Sequence, residues 1–255
     1  MRFGVSTGLE NIKFLEKAGF DYLEWSLNVV AAKSEIEFSS IKEILEASAI
    51  KCEVMNCFFP PGIKVVGPDI NESFIMEYIE KALERSAQLD TKILVLGSGG
   101  QRSLPVNWDK KTGFEQFMRL LEFIGRESAQ YGITIVLEPL NSKETNLVKS
   151  IKEGFLMVRD LDNPNVKLLA DFYHMRMEKE SMKAIEGTQG LLKHIHLANS
   201  NGRIFPRDIE EDEYAGFFKA LKAINYDERI SIEASTNNIE EDATKALILL
   251  KKLSK

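Results

Sequence analysis

The stretch I-T-I-V-L-E-P-L-N, residues 133–141, decides the fold. Its near-continuous run of apolar and β-branched residues is typical of a strand that is covered on both faces. The run ends at Glu138, and the proline that follows cannot continue a strand in the middle of a sheet. We therefore expect Glu138 at the point where a buried strand leaves the core.

Three later stretches end in the same way, with an apolar run that leads into a side chain able to bind a metal. V-K-L-L-A-D ends at Asp171, L-K-H-I-H ends at His196 and I-S-I-E ends at Glu233. In a parallel barrel the carboxyl ends of the strands lie on one face, and that face carries the active site. We therefore expect these three side chains and Glu138 to meet at one end of the molecule.

Strand-like segments recur along the whole chain, and each is followed by an amphipathic, helix-like segment. The eight predicted strands are residues 2–6, 22–26, 51–57, 92–96, 133–137, 166–170, 193–197 and 229–232. Eight such units in one chain of 255 residues predict an α/β fold, in which residues 1–255 form a single (β/α)8 TIM barrel domain. A doubly wound open sheet is the alternative, but the turn after the first strand, S-T-G-L-E-N, lacks the glycine pattern of that fold.

Helices and long loops complete the predicted barrel. The clearest helical patterns, with apolar residues three and four positions apart, cover residues 11–18, 41–47, 74–89, 113–131 and 243–253. Two connections after strands, residues 58–71 and 97–111, are longer than a turn requires. Because loops after strands line the active face of a barrel, we predict that both form a lid or the walls of the pocket.

The composition indicates which kinds of binding partner are excluded. A net charge of -6 and a pI near 5.4 argue against non-specific binding to nucleic acid or to anionic membranes. The chain starts M-R-F-G-V-S without the apolar core of a signal peptide, and no apolar run approaches the roughly 18 residues that span a bilayer. These features predict a cytoplasmic protein without a nucleic-acid or membrane partner.

The two cysteines, Cys52 and Cys57, lie an odd number of positions apart in one extended segment. We therefore expect them on opposite faces of a strand. Since free cysteine is commonly a small core residue, both are predicted to be buried thiols.

The four residues at the strand ends supply three carboxylates and one imidazole. This set suits Mn2+, Mg2+ or Co2+ better than thiophilic metals. We predict one divalent ion, with Mn2+ the first choice and Zn2+ a further candidate. Because side chains alternate along a strand, the residues two positions before the ligands are expected inside the barrel: Val136, Leu169, His194 and Ser231. We interpret His194 as a core residue or a support for the ligands.

Laid out in this way, the sequence resembles the xylose isomerase-like TIM barrels, and within them the ketose 3-epimerases of the tagatose and psicose type and the hydroxypyruvate isomerases. The resemblance runs from G-V-S in the first strand and G-F-D-Y-L-E in the second to S-I-E-A in the eighth. Its specific part is the second half, through L-E-P-L-N, A-D-F-Y-H-M, H-I-H-L-A-N and I-S-I-E-A. It implies that the metal is held by Glu138, Asp171, His196 and Glu233.

The resemblance also implies substrate contacts. The family has a glutamate six residues after the first ligand and a histidine three after the aspartate, and these are Glu144 and His174 here. Where the family has an arginine six residues after the metal histidine, this chain has Gly202, and Arg203 reaches the substrate only if the loop shifts by one residue. The segment G-S-G-G-Q-R-S-L-P resembles the family's loop after strand four and makes Arg102 a further pocket candidate.

Proton transfer on a sugar is the chemistry that the resemblance and the residue types imply. A keto sugar that binds a metal through its carbonyl and a neighbouring hydroxyl has a more acidic C–H beside the carbonyl. Glu138 and Glu233 are the expected acid/base pair, acting through an enediolate. Proton return to the opposite face gives epimerisation, and return to the neighbouring carbon gives isomerisation. The expected substrate is a ketose, or another small keto sugar or keto acid.

Other functions stay open. Metal-dependent dehydratases that act on inosose or dehydroshikimate use the same ligand set in this superfamily. A DNA-repair endonuclease would need a histidine-rich trinuclear zinc cluster and a basic face, whereas the chain has three histidines and a negative net charge. A binding barrel without activity is the remaining alternative. The sequence does not select the substrate, and it leaves a homodimer and a homotetramer both open.

Overall fold

The barrel is closed by eight parallel strands that follow one another in the order of the sequence. The computed structural model describes residues 1–188 and 190–255. Its strands are β1 (Arg2–Ser6), β2 (Tyr22–Ser26), β3 (Cys52–Asn56), β4 (Ile93–Leu96), β5 (Thr134–Leu137), β6 (Val166–Asp171), β7 (Leu192–Leu197) and β8 (Arg229–Ile232). Strand β1 pairs with both β2 and β8, which closes the ring and confirms the predicted (β/α)8 fold.

Helices surround the barrel and connect its strands. The α-helices are α1 (Ile12–Ala18), α2 (Leu27–Ala32), α3 (Glu35–Ala47), α4 (Glu72–Gln88), α5 (Gly99–Arg102), α6 (Lys110–Ala129), α7 (Ile151–Leu161), α8 (Phe172–Met177), α9 (Tyr214–Ala223) and α10 (Ile239–Leu253). Short 3-10 turns cover Leu9–Asn11, Met182–Thr188 and Ile209–Glu211. Within residues 1–188 and 190–255, every helix is too short or too polar to cross a membrane.

The predicted helices begin later than the observed ones where the first turn is polar. Helix α3 starts at Glu35 because Ser34 caps it: the Ser34 hydroxyl accepts from the Glu37 N–H, and the Glu37 carboxylate accepts from the Ser34 N–H. Helix α10 starts at Ile239, where the Asn238 side chain accepts from the Glu241 N–H. Charged residues interrupt the apolar pattern in these first turns, so the periodicity becomes clear only further along each helix.

Alternation along the strands separates an inner cluster of side chains from the core beneath the helices. The inner cluster consists of Tyr22, Val54, Ile93, Val95, Val136 and Leu169. Val136 and Leu169 thus lie inside the barrel as predicted, and Ser231 joins them through a 2.9 Å hydrogen bond to the Tyr22 hydroxyl. A Cβ at Gly4 would lie 2.3 Å from the Tyr22 ring, so this glycine makes room for the ring.

The two long loops lie at the carboxyl end of the barrel. The four apolar residues of loop 58–71, namely Phe58, Phe59, Val65 and Val66, are buried. The loop is tied to loop 97–111, because the Val65 N–H donates to the Gln101 carbonyl.

The prediction for the second cysteine is wrong. Cys52 is buried within β3, but Cys57 is exposed. Strand β3 ends at Asn56, and Cys57 adopts a left-handed backbone conformation with φ of 49°. Because the alternation of a strand stops where the strand stops, the spacing of the two cysteines does not determine the side of the sheet on which Cys57 lies.

Candidate active site and metal centre

Four ligand-type side chains converge at the carboxyl end of the barrel. Glu138 follows β5, Asp171 ends β6, His196 lies in β7 and Glu233 follows β8. One potential ligand atom from each lies within 4.8 Å of every other. The structure therefore brings together all four residues that the strand endings indicated.

The chemistry of this donor set fits a divalent cation. Carboxylate oxygens and an imidazole nitrogen are donors that Mn2+ and related ions accept. Nδ1 of His196 faces the carboxylates, at 3.0 Å from Glu138 Oε1 and 3.4 Å from Glu233 Oε2. Nδ1 is therefore the ring nitrogen that is directed at the candidate metal centre.

Asp171 presents its two carboxylate oxygens to different partners. Its Oδ1 accepts hydrogen bonds from the main-chain N–H groups of Tyr173 and His174, which caps helix α8. Its Oδ2 lies 3.5 Å from Nε2 of His174 and 3.9 Å from the guanidinium of Arg203. Asp171 is thus both a helix cap and a candidate ligand.

Glu24 belongs to the site, although sequence reasoning missed it. It is fully buried in β2, and its Oε1 lies 2.8 Å from Nε2 of His196. Its other oxygen lies 2.9 Å from Nε2 of His194. A histidine that binds a metal commonly donates its second N–H to a carboxylate, and Glu24 has that position here. The available signal was an acidic residue between the apolar neighbours Leu23 and Trp25 in the middle of a predicted strand.

The two carboxylates beside His196 have different electrostatic environments. Burial raises the pKa of Glu138, and attraction to His196 offsets only part of this effect. Burial also opposes ionisation of Glu233, but the positive charges of His196 and Arg203 outweigh it and lower its pKa to about 2. For His196 itself, burial favours the neutral ring, yet the surrounding carboxylates raise its pKa well above the usual value.

A pocket of about 300 Å³ opens over these residues, and Glu138 and Glu233 line it. Loop 58–71 contributes Phe59 and Pro61 to its wall, and loop 97–111 contributes residues 97–99 and Gln101. The prediction that both loops form pocket walls is therefore confirmed. The expected substrate contacts Glu144, His174 and Arg203 lie in the same lining.

Arg203 lies in the loop that follows β7, and its side chain lines the pocket. Its backbone is left-handed, with φ of 51°, directly after Gly202 with φ of 92°. Its guanidinium lies 2.5 Å from Glu233, 3.5 Å from Glu144 and 4.9 Å from the centre of the Tyr173 ring. The change of one position relative to the family pattern therefore leaves the arginine at the pocket.

The structure corrects the prediction for Arg102. Its side chain is fully buried, and its guanidinium donates to the main-chain carbonyls of Leu96, Glu138 and Val148. All three acceptors belong to the barrel and to the loop that follows β5. The Arg102 side chain is thus used within the protein interior, where it stabilises the main chain around Glu138. Its neighbour Gln101 lines the pocket instead.

Comparison with known proteins places this geometry in a family. The family profile described as "Xylose isomerase-like TIM barrel" matches residues 12–253. A D-psicose 3-epimerase of Ruminiclostridium cellulolyticum is 26% identical over 199 residues, which are 76% of this chain and 67% of that protein. A 3-dehydro-D-guloside 4-epimerase of Escherichia coli is 26% identical over 233 residues, which are 86% of this chain and 83% of that protein.

A solved structure has the same fold. It is a D-psicose 3-epimerase with D-tagatose from Clostridium cellulolyticum H10, and it aligns with a TM-score of 0.86 at 21% identity over the full length of both chains. The curated relatives are epimerases, and this protein is an enzyme of the isomerase and epimerase class. Since the match to the profile covers nearly the whole sequence, the chain belongs to the xylose isomerase-like TIM barrel family.

Proposed function

We propose that the protein is a divalent-metal-dependent epimerase of ketoses or closely related keto sugars. One observation carries the proposal: Glu138 and Glu233 line the same pocket, and each has a carboxylate oxygen close to Nδ1 of His196, at 3.0 and 3.4 Å. Two carboxylates in one pocket can remove a proton from a bound molecule and return one from another direction. This is what inversion of a carbon centre requires.

Glu138, Asp171, His196 and Glu233 would hold the metal, with Mn2+ proposed first and Mg2+, Co2+ and Zn2+ as alternatives. A bound divalent ion supplies a Lewis acid that polarises a carbonyl oxygen and makes the neighbouring C–H more acidic.

The chain's own residues then perform the proton transfer. One carboxylate of the pair Glu138 and Glu233 takes the proton from the carbon beside the carbonyl. The other enters the reaction as a carboxylic acid and delivers its proton to the opposite face of that carbon. The configuration inverts, and the two groups end with their protonation states exchanged. Because the reaction is reversible, the two carboxylates exchange roles in the reverse direction.

The rest of the pocket would orient the sugar. The pocket lining beside the two carboxylates includes His174, Glu144 and Arg203. Together these side chains offer both hydrogen-bond donors and hydrogen-bond acceptors. We infer that they bind hydroxyl and carbonyl oxygens of the substrate. Holding the reacting carbon between the carboxylates supplies the orientation on which the rate depends.

The relatives support reaction at a carbon beside a ketone. Psicose is a 2-ketose and its epimerase is named for carbon 3, while the guloside enzyme is named for a 3-dehydro sugar and for carbon 4. In both names the carbon that changes configuration adjoins the carbonyl carbon. These names favour proton transfer over the dehydratase alternative. Aldose–ketose isomerisation by proton return to the neighbouring carbon is the second form of the same chemistry.

A substrate panel tests the proposal. Purified protein with Mn2+ would be incubated with D-psicose, D-fructose, D-tagatose, hydroxypyruvate and inosose, and the products separated by chromatography. We expect interconversion of ketoses that differ at one carbon, and a loss of about 100- to 10,000-fold in Glu138→Gln and in Glu233→Gln. Glu84→Gln, at an exposed position of α4, is the matched control and should retain activity. If the protein forms an unsaturated product from inosose and converts no ketose, it is a dehydratase and the proposed epimerase function is wrong.

We further propose that residues 1–255 act as one domain, that the protein is cytoplasmic and that it forms a homodimer or a homotetramer.

A further inference from the structure

Asn141 lies fully buried beside the pocket, and the orientation of its amide is determined by its neighbours. Its Oδ1 accepts from the Lys143 N–H at 3.0 Å, so Nδ2 must be on the other side. There Nδ2 lies 2.7 Å from Nδ1 of His174 and 2.9 Å from Oε1 of Glu144. The amide therefore contacts both an imidazole and a carboxylate that line the pocket.

Two N–H groups of Asn141 point at one ring nitrogen of His174. Besides the amide Nδ2, the main-chain N–H of Asn141 donates to His174 Nδ1 at 3.2 Å. A ring nitrogen that receives hydrogen bonds from N–H groups must act as an acceptor and so carries no proton. The single proton of the neutral ring is then on Nε2.

Nε2 of His174 is a buried donor without a hydrogen-bond partner among the described residues. The nearest carboxylate oxygen, Asp171 Oδ2, is 3.5 Å away, and its partner oxygen is already engaged in capping α8. A buried polar group that lacks a partner is rare and is commonly found where a ligand binds. Since His174 lines the pocket, its Nε2–H is available to an oxygen atom of a bound molecule.

We propose that Asn141 is a positioning residue that sets the tautomer of His174 and the orientation of Glu144. Through this one amide the pocket presents an N–H donor and a carboxylate acceptor from adjacent side chains. Such a pair suits a sugar hydroxyl, which donates and accepts at the same time. The identity of that ligand rests on the proposed function, whereas the tautomer of His174 does not.

Nuclear magnetic resonance of ring-labelled histidine tests the proposal. The protein would carry 15N in its three histidines and be loaded with diamagnetic Mg2+, and His174→Ala identifies the His174 signals. The wild type is expected to show a protonated Nε2 and an unprotonated Nδ1 at His174. A proton on Nδ1 in the wild type would overturn the proposal, and this spectrum decides the matter even if a variant fails to fold.

Asn141→Asp is the informative substitution, because a carboxylate accepts where the amide donates. We expect Nδ1 of His174 to become protonated, with a loss of turnover of about 10- to 100-fold. Mg2+ affinity should stay unchanged, since Asn141 hydrogen-bonds to none of the four candidate ligands. Asn146→Asp is the matched control in the same loop, because Asn146 pairs instead with the main chain of Leu104. An unchanged His174 tautomer in Asn141→Asp would contradict the proposal.

The spectra need no substrate, so they separate this proposal from the proposed function. If His174 carries its proton on Nε2 but the protein converts no ketose, the proposed epimerase function is wrong and the proposed role of Asn141 is retained.

Discussion

One carboxylate oxygen of Glu24 lies 2.8 Å from Nε2 of His196, in the interior of the barrel. The contact requires the His196 ring to keep Nδ1 towards Glu138 and Glu233, which are 3.0 and 3.4 Å away. The second oxygen of Glu24 binds His194 in the same way. A buried carboxylate in β2 thus orients a candidate metal ligand in β7, on the other side of the barrel.

Glu24→Gln should weaken metal binding. Glu24 accepts hydrogen bonds from two histidines, whereas glutamine has only one accepting atom and would place an N–H against one ring N–H. We expect the dissociation constant for Mn2+ to rise by about 10- to 100-fold, measured by titration calorimetry. Glu84→Gln on the surface of α4 is the control. Equal affinities in the two variants would contradict the assigned role of Glu24.

Gly97→Ala should displace Glu138. A Cβ at position 97 would lie 2.2 Å from Glu138 Oε2, a distance that real side chains do not tolerate. We expect turnover to fall by about 100-fold, because a shift of about 1 Å at the reacting groups is enough for that. Unfolding should become easier by about 1–3 kcal/mol in urea titrations.

The matched control for that substitution is Gly100→Ala. A Cβ at position 100 meets nothing within 4 Å, so both activity and stability should be preserved. Similar losses in the two variants would show that the loop, rather than the space beside Glu138, is what the substitution disturbs.

Cys57 should report on occupancy of the pocket. The residue is exposed and lines the pocket beside Glu233, while Cys52 is buried in β3. Although the residue as a whole is exposed, its thiol group is partly removed from water at the pocket wall. This desolvation, with a contribution from the charge of Glu233, raises the pKa of the Cys57 thiol to about 11. Because the thiolate is the reactive form, alkylation should be slow at neutral pH and accelerate as the pH approaches that value.

The number of thiols that react with an alkylating reagent tests this prediction. Folded protein should expose one reactive thiol and denatured protein two, and a bound ketose should slow the reaction of the folded form. Cys57→Ser should remove the reactive thiol. Reaction at Cys52 in folded protein would contradict its burial in β3. No protection by any ketose that is turned over would place Cys57 outside the substrate pocket.

Arg102→Met should reduce stability. The substitution keeps an apolar stem but removes the donors that serve the carbonyls of Leu96, Glu138 and Val148. The carbonyls of Leu96 and Val148 also accept from the main-chain N–H groups of Glu138 and Leu140, so the Glu138 carbonyl is the acceptor that loses its donor. Leaving one buried acceptor without a partner costs about 1–3 kcal/mol, and we expect a decrease of that size in the free energy of unfolding. Arg119→Met, on the exposed face of α6, should change it little. If the Arg102→Met protein keeps its stability and only its KM rises, the prediction is wrong and Arg102 contacts the substrate instead.

The positions of the candidate ligands follow from the sequence because their strands end on them. Glu138, Asp171, His196 and Glu233 each terminate or follow an apolar run, and parallel strands in a barrel bring their carboxyl ends together. The predicted strand bounds agree with the observed ones to within one residue at each end, because each strand contains an apolar run that a turn or loop interrupts. Alternation then assigns Val136 and Leu169 to the interior.

Other parts of the site depend on tertiary geometry that no local pattern encodes. Glu24 stands within a strand rather than at its end, and only the buried histidines opposite it explain why a charge is stable there. The direction of the Arg102 side chain is set by the short helix α5, which turns Gln101 to the pocket and Arg102 inward. Cys57 does not follow the alternation of side chains along β3, because it lies after the strand and has a left-handed backbone conformation.

The most direct test of the account combines metal content with proton exchange. Purified protein would be analysed for bound divalent metal and then incubated with D-psicose and D-fructose in deuterated water, with and without a chelator. We predict one equivalent of metal in the wild type and metal-dependent deuterium uptake at the carbon beside the carbonyl, which is lost in Glu138→Gln. Ketose conversion without deuterium uptake, or uptake that persists after the metal is removed, would contradict the account.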